Sequence, residues 1–117
     1  MLDLGFVSAI LADSSFEEVV DFASDHQFKC VEIMCWPVGK AERRYAGVTH
    51  IDVDKLDDAA IEQIRNYTQR KRIYISGLGY YPNPLDPDKD QALVYIDHIR
   101  KVITAASRLS IPVVNTF

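Results

Sequence analysis

The 117-residue chain is predicted to be an α/β domain built on a parallel sheet, and three observations lead there. Apolar runs suited to strands start near residues 4, 30, 73 and 112. Between them lie stretches whose apolar residues recur at helical spacing, so the order is βαβαβαβ, which crossover connections turn into a parallel sheet. The third observation is the long connection from Cys35 to Asp52. Loops beyond about 12 to 15 residues without secondary structure are usually functional or disordered. Trp36, Pro37, Tyr45, Val48 and Ile51 give this one apolar anchors, so we expect a ligand-facing loop and not a solvated linker.

Leu4 to Val7 reads as a short buried strand. Ser14 and Ser15 then compete as helix caps, each with a glutamate three residues on (Glu17, Glu18) to close a capping box. Phe16, Val19, Val20 and Ala23 form the apolar face of that helix, with Glu17, Glu18, Asp21 and Asp25 turned away. It ends near His26-Gln27, where a left-handed exit favours Gly and costs Gln about 1 kcal/mol. The second strand, Cys30 to Met34, is apolar on both faces apart from Glu32, as expected of a strand covered on both sides.

Asp57 or Asp58 caps a second helix carrying Ala60, Ile61, Ile64, Tyr67 and Thr68. The basic run Arg70-Lys71-Arg72 suits its C-terminus. Ile73 to Gly79 is the third strand, and Tyr80 to Leu85 the loop leaving it. Asp86-Pro87 reads as the cap and first position of a third helix, where a missing N–H is harmless. Its apolar stripe is Ala92, Leu93, Ile96, Ile99, Val102, Ile103, Ala106 and Leu109. A fourth strand begins at Ile111 and the chain stops inside it.

Two architectures fit this order. A doubly wound nucleotide-binding sheet carries glycines between its first strand and first helix, and Ser8-Ala9-Ile10-Leu11-Ala12-Asp13 has none. A TIM (β/α)8 barrel has eight strands in roughly 250 residues, of which this chain supplies about half. A terminal strand without a covering helix leaves edge groups and apolar side chains unprotected. We therefore expect residues 1–117 to form the N-terminal half of a TIM barrel, strands one to four with helices one to three. A second half-barrel, in the same polypeptide or in a homo-oligomer, would complete it.

Seventeen acidic against thirteen basic residues leave a net charge of -4, which argues against a surface that must neutralise nucleic-acid phosphates. The apolar run Leu4 to Ala12 follows Asp3 and no basic residue, unlike a signal peptide, and is too short to cross a bilayer. Cys30 and Cys35 are five apart, so strand alternation sends them to opposite faces. They read as buried free thiols of a reducing compartment, and we expect a cytoplasmic protein without a membrane partner.

Leu4-Gly5-Phe6-Val7, Cys30 to Pro37, Arg43 to His50, Gly77 to Leu85 and Val113 to Phe117 together resemble the N-terminal half of a sugar phosphate isomerase/epimerase of the xylose isomerase-like barrel superfamily. The resemblance covers essentially the whole chain. It implies a sugar substrate and a divalent metal (Mn, Mg, Zn or Co) held by Glu, Asp, His and Glu of the later strands. Two of those glutamates shuttle a proton beside a carbonyl through a metal-stabilised enediolate. None of the four ligands maps onto this chain, so we expect no catalytic residue and no bound metal within it. The related endonuclease IV branch places metal-binding histidines at the ends of strands three and four. Leu78-Gly79-Tyr80 and Asn115-Thr116-Phe117 have none, which argues against DNA repair.

Six residues are candidates for substrate binding. Glu32 sits in an apolar strand, where a buried carboxylate demands a partner; it either binds a sugar hydroxyl in the lumen or pairs with a Lys or Arg there. His50 and Arg44, with Arg43 and more weakly Lys40, form a potential anion-reading edge, since Arg offers a planar fork; the alternative is a solvated loop. Trp36 and Tyr80, with Tyr81, follow strand ends and either stack on a sugar face or shape the pocket. Asn115, like Ser76, is a short polar group in an apolar strand, suited to a ligand or a buried water. His26 and His98 fall on or at the end of helices and are expected to be solvated or locally paired.

Overall fold

A computed structural model describes residues 2–39 and 46–117. Lys40, Arg43 and Arg44 lie outside the described residues. Along the chain run β1 (Gly5–Val7), α1 (Phe16–Asp25), β2 (Cys30–Met34), α2 (Asp58–Lys71), β3 (Tyr74–Gly79), α3 (Lys89–Arg108) and β4 (Val114–Asn115), with 3-10 turns at Ser8–Leu11 and Val53–Lys55. The four strands form one parallel sheet in the order β1-β2-β3-β4. Spatial order follows chain order, and β1 is an edge strand.

Register assigns the two faces. Phe6, Val31 and Ile75 are aligned across β1, β2 and β3, and Ile33, Leu78 and Val114 across β2, β3 and β4. All six join one apolar core with Phe16, Val19, Val20 and Ala23 of α1, Ile61 of α2, and Val102, Ala105, Ala106 and Leu109 of α3. The helices therefore cover a single face. The opposite face carries Gly5 and Cys30, then Val7, Glu32 and Gly77, then Met34, Gly79 and Asn115. One extra residue, Ser76, is accommodated where the β2–β3 register shifts. Cys35 joins the helix-side core while Cys30 lies on the other face, and both are free thiols.

Local chemistry explains the boundaries. Ser15 caps α1, its hydroxyl accepting from the Glu18 N–H at 3.1 Å while the Glu18 carboxylate accepts from the Ser15 N–H at 2.9 Å. Asp57, not Asp58, caps α2 through the Ala60 N–H at 2.8 Å. All three helices exit through left-handed non-glycine residues, Gln27 (φ 62), Arg72 (φ 56) and Ser110 (φ 57).

Four expectations need correction. Helix α3 starts at Lys89, because Asp86 closes a local turn by accepting from the Asp88 N–H at 2.9 Å. Asp88 then caps through the N–H groups of Asp90 and Gln91. The fourth strand is only two residues long, since Val114 and Asn115 alone pair with β3. The described ends of the long connection are not structureless: Cys35 and Thr49 form an antiparallel bridge, and the Thr49 hydroxyl donates to the Trp36 carbonyl at 2.7 Å. Finally, the first strand is not buried, since Leu4 is 70% and Val7 40% exposed; β2 is covered on both faces as expected, by helices on one and by Ala9, Val48 and parts of Trp36 and Tyr81 over Met34 on the other.

Candidate functional site at the C-terminal rim

Glu32 is the chemical centre of the helix-free face. Its backbone lies in β2 between the buried pairs Cys30-Val31 and Ile33-Met34, and the side chain remains partly exposed. The Tyr81 hydroxyl donates to one carboxylate oxygen and the Asn115 side-chain amide to the other. Neither donor carries charge, and among the described residues Glu32 takes part in no ion pair. Of the two alternatives for Glu32, the Lys or Arg partner is not found among the described residues; a phenol and an amide, drawn from the loop after β3 and from β4, stand in its place.

Two glycines make room for this arrangement. A Cβ at Gly79 would lie 3.0 Å from a Glu32 carboxylate oxygen, 3.1 Å from Tyr81 Cε2, and in collision with the Met34 methyl. A Cβ at Gly77 would lie 3.1 Å from the Asn115 amide nitrogen and 3.3 Å from the Val113 carbonyl. Close side-chain approach is therefore the reason for glycines in this strand. Burial, then the hydrogen bond to Glu32 and its negative charge, push the Tyr81 phenol above its ordinary range. It stays protonated and remains a donor at neutral pH.

His50 is not solvent-facing. It is 8% exposed, with Nδ1 2.7 Å from the Ser8 hydroxyl and Nε2 3.0 Å from the Leu11 carbonyl. The carbonyl fixes Nε2 as the N–H, so Ser8 donates to Nδ1. The Ser8 oxygen in turn accepts the Met34 N–H at 2.9 Å. Fully buried Ser8 thus ties the loop after β1 to the end of β2 and to the connection before α2. Both ring nitrogens are engaged by the protein, which leaves His50 no group with which to read an anion. Burial lowers its pKa, opposed by the Leu11 and Ser14 backbone groups.

Trp36 and Tyr80 pack edge to face, with ring centroids 5.3 Å apart. Tyr80 is 2% exposed and belongs to the helix-side core, its ring 4.5 Å from that of His98. Burial, with the charge of Tyr95, pushes its phenol up to about 12. Tyr80 shapes the core and presents no face to a sugar. Trp36 touches both clusters, and among the described residues its buried indole nitrogen has no hydrogen-bond partner. Arg44 lies outside the described residues.

Glu32, Asn115 and Tyr81 are thus brought together, whereas His50 and Tyr80 serve packing. Two further residues escaped the sequence reading. Ser8 gave no signal of its own. His98, expected to be solvated or locally paired, is 5% exposed and donates Nε2–H to the Cys35 carbonyl at 2.7 Å, spanning α3 and the end of β2. Its spacing four before Val102 and seven before Ala105 marks the buried stripe.

Fold and site together define an α/β chain with helices on one face of a sequentially ordered parallel sheet and a hydrogen-bonded carboxylate on the other. No protein-family model matches the chain, and no curated protein is significantly similar to it.

Proposed function

We propose that these residues form the first four strands of a TIM (β/α)8 barrel of the xylose isomerase-like type, acting in a sugar or sugar-phosphate isomerase or epimerase. One observation supports this most: strands run in chain order with all three helices on one face, while on the other face Tyr81 and Asn115, at the C-terminal ends of β3 and β4, hold the carboxylate of Glu32 from the middle of β2. A barrel keeps its helices outside and its site at the C-terminal rim. A doubly wound sheet reverses its strand order partway and carries helices on both faces.

Among the described residues no group of three or more His, Cys, Asp or Glu converges to hold a metal. Glu32 is already engaged by Tyr81 and Asn115. The residues described do not fit a metal site, and no chemical step is assigned to one here. This half of the barrel binds and orients the sugar: Glu32 accepts from hydroxyls, and the partly exposed Tyr81 and Trp36, packed over buried Met34, form an apolar shoulder beside it.

A second reading is a non-catalytic half-barrel that binds sugar or drives assembly. Exposed Val7, Tyr74 and Val113 on or beside the helix-free sheet favour it. Proton exchange separates the two. The protein expressed from its full reading frame is incubated in D2O with manganese and free or phosphorylated pentoses and hexoses. Deuterium incorporation beside the carbonyl is expected for the enzyme. No incorporation, together with concentration-dependent self-association in sedimentation, would establish the assembly module instead.

A further inference from the structure

We infer that Glu32 selects the uncharged, hydroxyl-bearing end of its ligand and excludes phosphate or carboxylate from that part of the rim, an inference that rests on the sugar reading above. A carboxylate is acceptor-only, with about four lone-pair positions. Tyr81 and Asn115 occupy one on each oxygen. The remaining positions belong to a partly exposed group, so an incoming molecule meets acceptors and must supply donors. With its amide nitrogen turned to Glu32, Asn115 keeps a carbonyl oxygen as a further acceptor.

Charge sets the exclusion. The two partners of Glu32 are neutral, and among the described residues no ion pair compensates it. An anionic group placed here meets a like charge in a partly desolvated site, where such juxtaposition is strongly unfavourable. The apolar shoulder decides between donor ligands. Trp36 and Tyr81, both partly exposed, pack over buried Met34 beside the carboxylate, and a sugar uses both features, placing C–H groups on these two rings and hydroxyls on the acceptors. A bare cation would use only the charge.

The test is an amide-resolved NMR titration of the chain with D-xylose, D-xylonate and magnesium chloride in parallel. Xylose is expected to shift the signals of residues 32, 81 and 115, and xylonate to bind at least about tenfold more weakly. Glu32→Gln should bring the two ligands within about threefold of each other, whereas Tyr81→Phe, which keeps the charge, should preserve the difference. In the wild type, raising salt from about 10 mM to about 500 mM should narrow the ratio, a readout that needs no variant to fold. Equal binding of both ligands by the wild type, a ratio unmoved by salt, or the same shifts with magnesium alone would overturn the inference while leaving the fold proposal intact. If neither sugar shifts any signal, the sugar reading itself falls, and this inference with it.

Discussion

On the helix side of the sheet Val31, Ile33 and Leu78 are completely buried among side chains of three helices, whereas the other side carries Gly77 and Gly79 beside a single hydrogen-bonded carboxylate. The first face is built by volume: large branched side chains exclude water, and close packing holds the helices. The second is built by vacancy, its glycines leaving room for one hydrogen-bonded polar cluster. Stability is concentrated on one surface of the sheet and chemistry on the other.

The sharpest way to break this comparison is to empty the packed face. Ile33→Ala is expected to cost about 2–5 kcal/mol, read as a lower urea midpoint, because the site is hemmed in by helices and cannot collapse fully. Filling the open face should cost less but act on the site. Gly79→Ala drives a methyl into Met34 and against Glu32, at a cost of about 1–3 kcal/mol. It should also abolish the xylose-induced NMR shifts at residues 81 and 115. A Gly79→Ala protein with unchanged shifts would show that the glycine is not there for the cluster.

The smallest expected effect is pH-dependent and belongs to the seam between the faces. His50 is held in the neutral form by burial and by the hydrogen bond it accepts from Ser8. Its pKa is depressed relative to the unfolded value near 6.5, so its contribution is fully present above that pH. It is lost as pH falls from there through the lower folded value, because the unfolded chain takes up the proton first. Urea unfolding at neutral and mildly acidic pH should show this loss in the wild type, and His50→Gln should flatten it.

Much of the architecture was legible in the sequence because its signals are local. The capping serine with Glu18, the helical spacing of Phe16, Val19, Val20 and Ala23, and the apolar run around Glu32 each depend on neighbours within a few residues. Even the left-handed exit at Gln27 followed from where the helix had to stop. The candidate site was legible only in its members. Glu32 and Asn115 stood out as polar residues in apolar strands, but nothing local says that Tyr81 rather than a lysine would reach the carboxylate, since the partners lie 49 and 83 residues away. The same holds for His50, whose partners Ser8 and Leu11 lie about forty residues earlier. An exposed-looking loop histidine and a buried clamp have the same sequence signature. His98 differs: its place in the helical stripe with Val102 and Ala105 is a local signal, although its polar side chain alone suggests a solvated position.

The most direct test of the central claim is a crystal structure of the protein expressed from its full reading frame, inspected at the face that carries Glu32. The account predicts that no helix crosses that face, that β1 and β4 each acquire a further parallel neighbour, and that Glu32, Gly77, Gly79 and Asn115 point into an enclosed lumen. A helix packed across Glu32, with the sheet left open, would contradict it.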